Sequence, residues 1–169
     1  MYKRQAIGTN LGQAVHNGSD IHARYFVAMG NTLSGMSDSI SSGISAHSIA
    51  HSIGGLHPET PHGAALIMIC EAYYQFYVEK HACDEKMIQM AKAMGKADAE
   101  KPQDFVDMLA RLKKDCGVDG LKLSDYGVTP EEFDSIAYHA RKDSGGLYDY
   151  DPCTFTDEDA VEVLKKSYR

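Results

Sequence analysis

Four of the eight histidines in this 169-residue chain lie between His47 and His62. His47 and His51 are four positions apart, a spacing that puts both rings on one face of an α-helix. His62 follows a turn with two glycines and two prolines, so we expect it to begin the next helix and to face the pair. Imidazoles that converge from two helices are typical ligands of a borderline divalent cation. The segment therefore predicts a metal or catalytic site, with His57 as a loop histidine.

The same spacing also fits a structural interpretation, because a single histidine on a helix face is more often a core or surface residue than a ligand.

The sequence lacks the motifs of a zinc metalloprotease and of a dinucleotide- or phosphate-binding loop. Ser48 follows His47 where an HExxH metalloprotease has its glutamate. There is no GxGxxG or P-loop motif, so nothing in this chain would bind a dinucleotide by itself. Gly63 is expected to let the backbone approach the site closely.

The elements that must position these histidines are all predicted to be helices. Apolar residues fall at helical spacing from Phe26 to Ile40, which predicts a helix that begins after Asp20 and ends near Ser42. Period-2 alternation, the pattern of a half-buried strand, is not found. Further helices are predicted over residues 47–53, 62–78 and 105–116, and after capping boxes that begin at Thr129 and Thr156. The chain is therefore expected to be all-α, a single bundle-like domain.

Composition narrows the class of protein. Seventeen Lys and Arg against 24 Asp and Glu give a net charge of -7, which argues against nucleic acid as a partner. The four cysteines are widely spaced without a CxxC pair, as in a protein of the reducing cytosol. The most apolar stretch, residues 64–78, is too short to span a bilayer and contains Glu71. We expect a cytoplasmic protein that does not bind a membrane.

The first five residues are unusual for a natural start. Met1–Gln5 resembles a translated library adapter, which would leave residues 6–169 as the natural domain. The alternative is that these residues form the basic first turn of a helix.

The histidine segment and its flanks resemble the iron-containing (group III) alcohol dehydrogenases. The central match comprises the His47/His51 pair, the Gly54-Gly55 turn and the Thr-Pro-His-Gly-Ala-Ala run at 60–65. Further similarity lies on both sides, at residues 11–24, 151–152 and 155–159.

The resemblance implies a two-domain, dehydroquinate synthase-like enzyme, of which this chain is similar to the C-terminal helical metal domain without the α/β nucleotide-binding domain. In that family one Asp and three His hold the metal. Two of these histidines match His47 and His62, and the other two ligands belong upstream of residue 1. His51 matches the histidine near the nicotinamide that is implicated in proton relay, so the resemblance makes it catalytic and cofactor-binding. The spacing of 15 from His47 to His62 is one longer than in many members, which leaves the role of His57 open.

The function that the resemblance implies is hydride transfer between NAD or NADP and a small alcohol or aldehyde, activated by Fe²⁺, with Zn²⁺ or Mn²⁺ as alternatives. The intact enzyme is expected to be a homodimer, and the present chain is expected to be inactive alone. The alternative function is a self-contained helical metal-binding module without redox activity.

Overall fold

The computed structural model describes the backbone of residues 2–169 and the side chains of residues 5–169. Every regular element in this part of the chain is helical and none is a strand, so the all-α prediction is confirmed. Eight α-helices follow in chain order: α1 Tyr2–His16, α2 Ile21–Ile40, α3 Ser45–Leu56, α4 His62–Lys80, α5 Asp84–Ala93, α6 Gln103–Asp115, α7 Phe133–Ser144 and α8 Asp157–Ser167. Short 3-10 helices lie at Leu123–Tyr126, Pro130–Glu132 and Gly145–Tyr150.

The adapter assigned to residues 1–5 stays a prediction. Met1 and the side chains of residues 2–4 lie outside the described residues, and the described backbone of this segment is already part of α1.

The described chain divides into two compact units. The first contains α1 and α2 together with α5 and α6, and the second contains α3, α4, α7, α8 and the 3-10 helices. All four cysteines lie within the described residues and none forms a disulfide. Among residues 2–169 we find no helix with the length and apolar character needed to cross a membrane.

In the first unit α2 has the predicted ends, and its apolar stripe is enclosed only in part. The side chain of Asp20 accepts a hydrogen bond from the backbone N–H of Ala23 at 3.0 Å, as expected for an N-cap. Three residues of the stripe, Phe26, Met29 and Leu33, are half-buried beside the buried Ala23 and Gly30. The last two residues of the stripe, Met36 and Ile40, are 60% and 89% exposed.

In the second unit α3 is the central helix, since it packs against α4, α7 and the 3-10 turn at Gly145–Tyr150. Its apolar residues Ile49 and Ile53 are fully buried. The predicted short helix over 47–53 is longer in the structure, because Gly54 and Gly55 continue it to Leu56. The two predicted capping boxes are both present, although the one at Thr129 opens a 3-10 turn before α7.

Candidate metal site

The structure brings His47, His51 and His62 together. His47 and His51 lie one turn apart on α3, and His62 is the first residue of α4. Nδ1 of His47 lies 3.2 Å from Nε2 of His62. The ring centroids of His51 and His62 are 4.9 Å apart, and those of His47 and His51 are 6.5 Å apart.

The two nitrogens of the His47–His62 pair lie at a distance that one metal ion could bridge. Two imidazoles bound at ~2.0–2.1 Å in a tetrahedral site have their nitrogens ~3.3 Å apart. The observed 3.2 Å is close to this value. The same distance also allows a hydrogen bond when one of the two nitrogens carries a hydrogen. The separation of the two nitrogens is therefore compatible with one bound divalent cation.

His51 contacts His62 in a different way. Its ring stacks on that of His62 with an interplanar angle of 29°, close to the 34° between the rings of His47 and His62, so the nitrogen–nitrogen contact of 3.2 Å distinguishes the His47–His62 pair. The lone pair of an imidazole nitrogen lies in the ring plane, so two rings stacked face to face cannot both direct a nitrogen at one ion between them. Within residues 5–169, no group of three or more His, Cys, Asp or Glu side chains has an arrangement that could hold a metal. The described chain therefore offers two donors, not a complete coordination sphere.

Burial lowers the pKa of His62 below its usual value, and the neighbouring His51 and His47 lower it further. Both effects favour the neutral imidazole. The neutral form is the one that can donate a lone pair to a metal.

A glycine packs against the His47 ring, but it is not the expected one. A Cβ added to Gly43 would lie 3.2 Å from Cδ2 of His47, which is tighter than an ordinary contact. A Cβ added to Gly63 would meet no described atom within 4 Å. The close approach of the backbone to the site at Gly63 therefore stays a prediction. Gly63 lies in the first turn of α4, whereas Gly43 lies just before α3.

A row of serines on α3, which the sequence reasoning missed, joins this helix to its neighbours. Ser48 Oγ donates to the backbone carbonyl of Ser144 at 2.9 Å, and Ser52 Oγ donates to that of Ile136 at 2.8 Å. Ser45 and Ser48 are fully buried and Ser52 is nearly so. The signal was present in the sequence as small hydroxyl residues at helical spacing on the side of α3 next to the histidines.

A second cluster missed by the sequence reasoning surrounds the start of α3. Oδ1 of Asp151 accepts hydrogen bonds from the backbone N–H of Ser45 at 3.1 Å, from Tyr73 OH at 2.9 Å and from Tyr77 OH at 3.0 Å. The Ser45 hydroxyl lies 2.8 Å from Tyr73 OH. Burial raises the pKa of both phenols, so both hydroxyls keep their hydrogens and can donate them.

His57 has a carboxylate partner. Its Nε2 lies 3.1 Å from Oε1 of Glu132, and the side chains are 16% and 34% exposed. This contact agrees with the loop role expected for His57.

A cavity of about 270 Å³ lies beside His51, between α3 and α7. Besides His51, its walls include Ser48, Ser52, Leu56 and the His139–Asp143 pair, in which Nδ1 and Oδ2 are 3.1 Å apart. A larger cavity of about 450 Å³ lies in the first unit and contains none of the predicted site residues.

The comparisons of this chain with known proteins all indicate the same family. The chain matches the Fe-containing alcohol dehydrogenase family, C-terminal, over residues 3–168. It is 30% identical over 146 residues to 1,3-propanediol dehydrogenase of Klebsiella pneumoniae, a match that covers 83% of this chain and 37% of the relative. It is 27% identical over 162 residues to alcohol dehydrogenase 4 of Saccharomyces cerevisiae (strain ATCC 204508 / S288c), covering 96% of this chain and 41% of the relative.

Solved structures agree with the sequence matches. A 1,3-propanediol oxidoreductase superposes with a TM-score of 0.87 at 26% identity, covering 99% of this chain and 44% of the other. An archaeal halo-thermophilic alcohol dehydrogenase from a Red Sea brine pool gives a TM-score of 0.86 at 30% identity, covering 98% and 43%. The chain thus spans less than half the length of these relatives. Because the family match extends over nearly every residue and the helices superpose, the chain belongs to the iron-containing alcohol dehydrogenase family and corresponds to its C-terminal helical domain.

Proposed function

We propose that this chain is the metal-binding domain of a longer NAD(P)-dependent alcohol dehydrogenase or aldehyde reductase, in which His47 and His62 are metal ligands. The observation that carries the proposal is the 3.2 Å separation of His47 Nδ1 and His62 Nε2. The metal is Fe²⁺, with Zn²⁺ or Mn²⁺ as alternatives, and the family pattern assigns an Asp and a third His outside this chain to the remaining positions. When bound, the cation acts as a Lewis acid on the substrate oxygen.

His51 is the residue that we assign to proton transfer. It lies one helical turn from His47 and stacks on His62, so it is beside the pair without sharing its donor geometry. An imidazole suits this role because it takes up and releases a proton in the neutral pH range. A ring nitrogen of His51 would carry the proton between the substrate oxygen and solvent.

The cavity beside His51 is the proposed position of the substrate's carbon chain. Its volume of about 270 Å³ is sufficient for a small alcohol or aldehyde. Leu56 contributes an apolar wall to the cavity. The hydroxyls of the buried Ser48 and Ser52 both donate hydrogen bonds to backbone carbonyls.

The nucleotide is assigned to the part of the relatives that this chain does not span. The sequence contains no dinucleotide-binding motif. Homodimer formation and a cytoplasmic location remain predictions for the whole protein. The alternative, a self-contained metal-binding module, is less favoured because the described residues offer two converging donors.

The proposal is tested on the whole protein, expressed from the extended gene, with NAD(P)-dependent turnover and bound iron measured together. His47→Ala and His62→Ala are expected to lose iron and activity in parallel. His51→Ala is expected to keep the iron and to lose ~10²–10⁴ in rate. If His51→Ala strips the metal while His47→Ala retains it, the assignment of roles along α3 is wrong. If the extended gene encodes no nucleotide-binding domain, the metal-binding module is the correct function.

A further inference from the structure

We infer that Asp151 is a positioning residue for the metal site, because its carboxylate holds the first turn of α3 where His47 must lie to pair with His62. The inference rests on the proposed function, in which these two histidines are metal ligands.

Asp151 supplies the cap that the start of α3 lacks locally. The N–H groups in the first turn of a helix have no acceptor within the helix. The N-cap residue is Ile44, whose side chain makes no capping bond. Asp151, 106 positions further along the chain, accepts the N–H of Ser45 instead. A carboxylate is favoured at this end of a helix by the helix dipole.

Asp151 is itself anchored to α4, the helix that begins with His62. Tyr73 and Tyr77 of α4 both donate to its Oδ1, and the two phenols are 0% and 1% exposed. One carboxylate oxygen thus joins the two helices that carry the imidazole pair. His47 is two residues after Ser45, so it belongs to the same turn that Asp151 fixes.

Small displacements of this turn matter because metal–ligand distances tolerate deviations of only about 0.2 Å. A contact on the other side also confines the His47 ring, since Gly43 packs against it. Loss of the Asp151 anchor would let the turn fray, and the 3.2 Å separation from His62 would no longer be held.

The surroundings of the second carboxylate oxygen of Asp151 indicate which substitution at this position the metal site should tolerate. Oδ2 is buried, and the described side chains and backbone give it no hydrogen-bond partner. Asp151→Asn can keep the accepting oxygen for Ser45, Tyr73 and Tyr77 while it removes a negative charge from this buried position. Asp151→Ala removes the acceptor altogether. The two variants therefore separate the hydrogen bonds from the charge.

The test is titration of the whole protein, expressed from the extended gene and freed of iron, with Co²⁺ alone, followed by the d–d absorption spectrum, with far-UV circular dichroism as the control for folding. The wild-type protein is expected to bind Co²⁺ through His47, His62 and the two ligands assigned outside this chain. Asp151→Ala is expected to weaken binding by ~10–100-fold, as for other residues that orient metal ligands, and to change the spectrum. Asp151→Asn is expected to restore both. Asp149→Ala, the same charge change at an exposed position two residues earlier, is expected to have no effect.

Unchanged Co²⁺ affinity and spectrum in folded Asp151→Ala would overturn the inference and leave the proposed metal ligands intact. If Asp151→Ala does not fold, Tyr77→Phe replaces it, since this variant removes one of the three bonds to Oδ1. A weaker Co²⁺ affinity is then expected, and an unchanged affinity overturns the inference. If the whole wild-type protein binds Co²⁺ no better than its His47→Ala and His62→Ala variants, the proposed ligand pair fails and the inference fails with it.

Discussion

Glu132 joins two loops of the second unit, and its removal should have a measurable cost in folding stability. Oε2 accepts the backbone N–H of Thr129 at 2.8 Å, and Oε1 lies 3.1 Å from Nε2 of His57. Loss of a capping interaction of the first kind costs about 1 kcal/mol. The second is a partly exposed pair and contributes about 0.5–1 kcal/mol. We expect Glu132→Ala to lower the free energy of unfolding by about 1.5–2 kcal/mol.

The assay is urea unfolding followed by circular dichroism, supported by the thermal midpoint. A loss of that size corresponds to a fall in Tm of roughly 3–8 °C for a chain of this length. His57→Ala should lose only the second interaction, and the double variant with Glu132→Ala should show a coupling of about 0.5–1 kcal/mol. Glu59→Ala makes the same charge change at an exposed position in the same loop as His57, and should stay within about 0.5 kcal/mol of wild type.

If Glu132→Ala and Glu59→Ala have equal stabilities, or if Glu132 and His57 show no coupling, the role given to Glu132 in joining the two loops is refuted.

A further measurement tests whether His57 takes part in the metal site. His57→Ala should leave Co²⁺ binding by the whole protein unchanged, and a loss of binding would make His57 a ligand rather than a loop residue.

Three other outcomes are expected. The purified 169-residue chain should oxidise no alcohol with NAD or NADP, which is measured by nucleotide absorbance, and turnover would contradict its being part of a larger enzyme. Ile49→Ala should cost ~2–5 kcal/mol because Ile49 is fully buried, whereas Ile40→Ala, at a residue 89% exposed, should change stability by less than ~0.5 kcal/mol in the same urea assay. Backbone N–H groups of Lys101 and Glu100 hold the pKa of Asp104 below its usual value. This stabilisation is present above the ordinary carboxyl pKa and is lost as the pH falls through the lowered one, so wild type and Asp104→Asn should differ in stability at neutral pH and converge in acid.

Local signals in the sequence predicted the elements well. Asp20 and Thr156 cap the helices that follow them, as expected, because a capping side chain and its backbone partner are only three residues apart. The pairing of His47 with His51 also follows from helical spacing alone. The approach of His62 was predictable because the turn between α3 and α4 is short and contains two prolines, although Gly54 and Gly55 lie within α3 and not in the turn.

Features that depend on distant partners were not predicted. Ser48 bonds to a carbonyl 96 positions away, and Ser45 to a carboxylate 106 positions away. No local pattern encodes such a distance, since it depends on which helix packs against α3. The exposure of Met36 and Ile40 at the end of α2 was not predicted for the same reason. Apolar periodicity identifies a stripe, but the neighbouring helices decide how far along the stripe its residues are enclosed.

The two polar faces of α3 have complementary roles. Consecutive residues of an α-helix point in directions that differ by about 100°. The side chain of Ser48 is therefore rotated by this angle from that of His47, and the side chain of Ser52 by the same angle from that of His51. The serine hydroxyls bond to fixed carbonyls of Ser144 and Ile136, which determines how far α3 can rotate about its axis. Close packing of the buried Ile49 and Ile53 also limits this rotation, but hydrogen bonds depend more steeply on direction than dispersion contacts do. The serine bonds therefore add a directional constraint on one face of α3 that helps to keep the imidazoles on the adjacent face toward the start of α4.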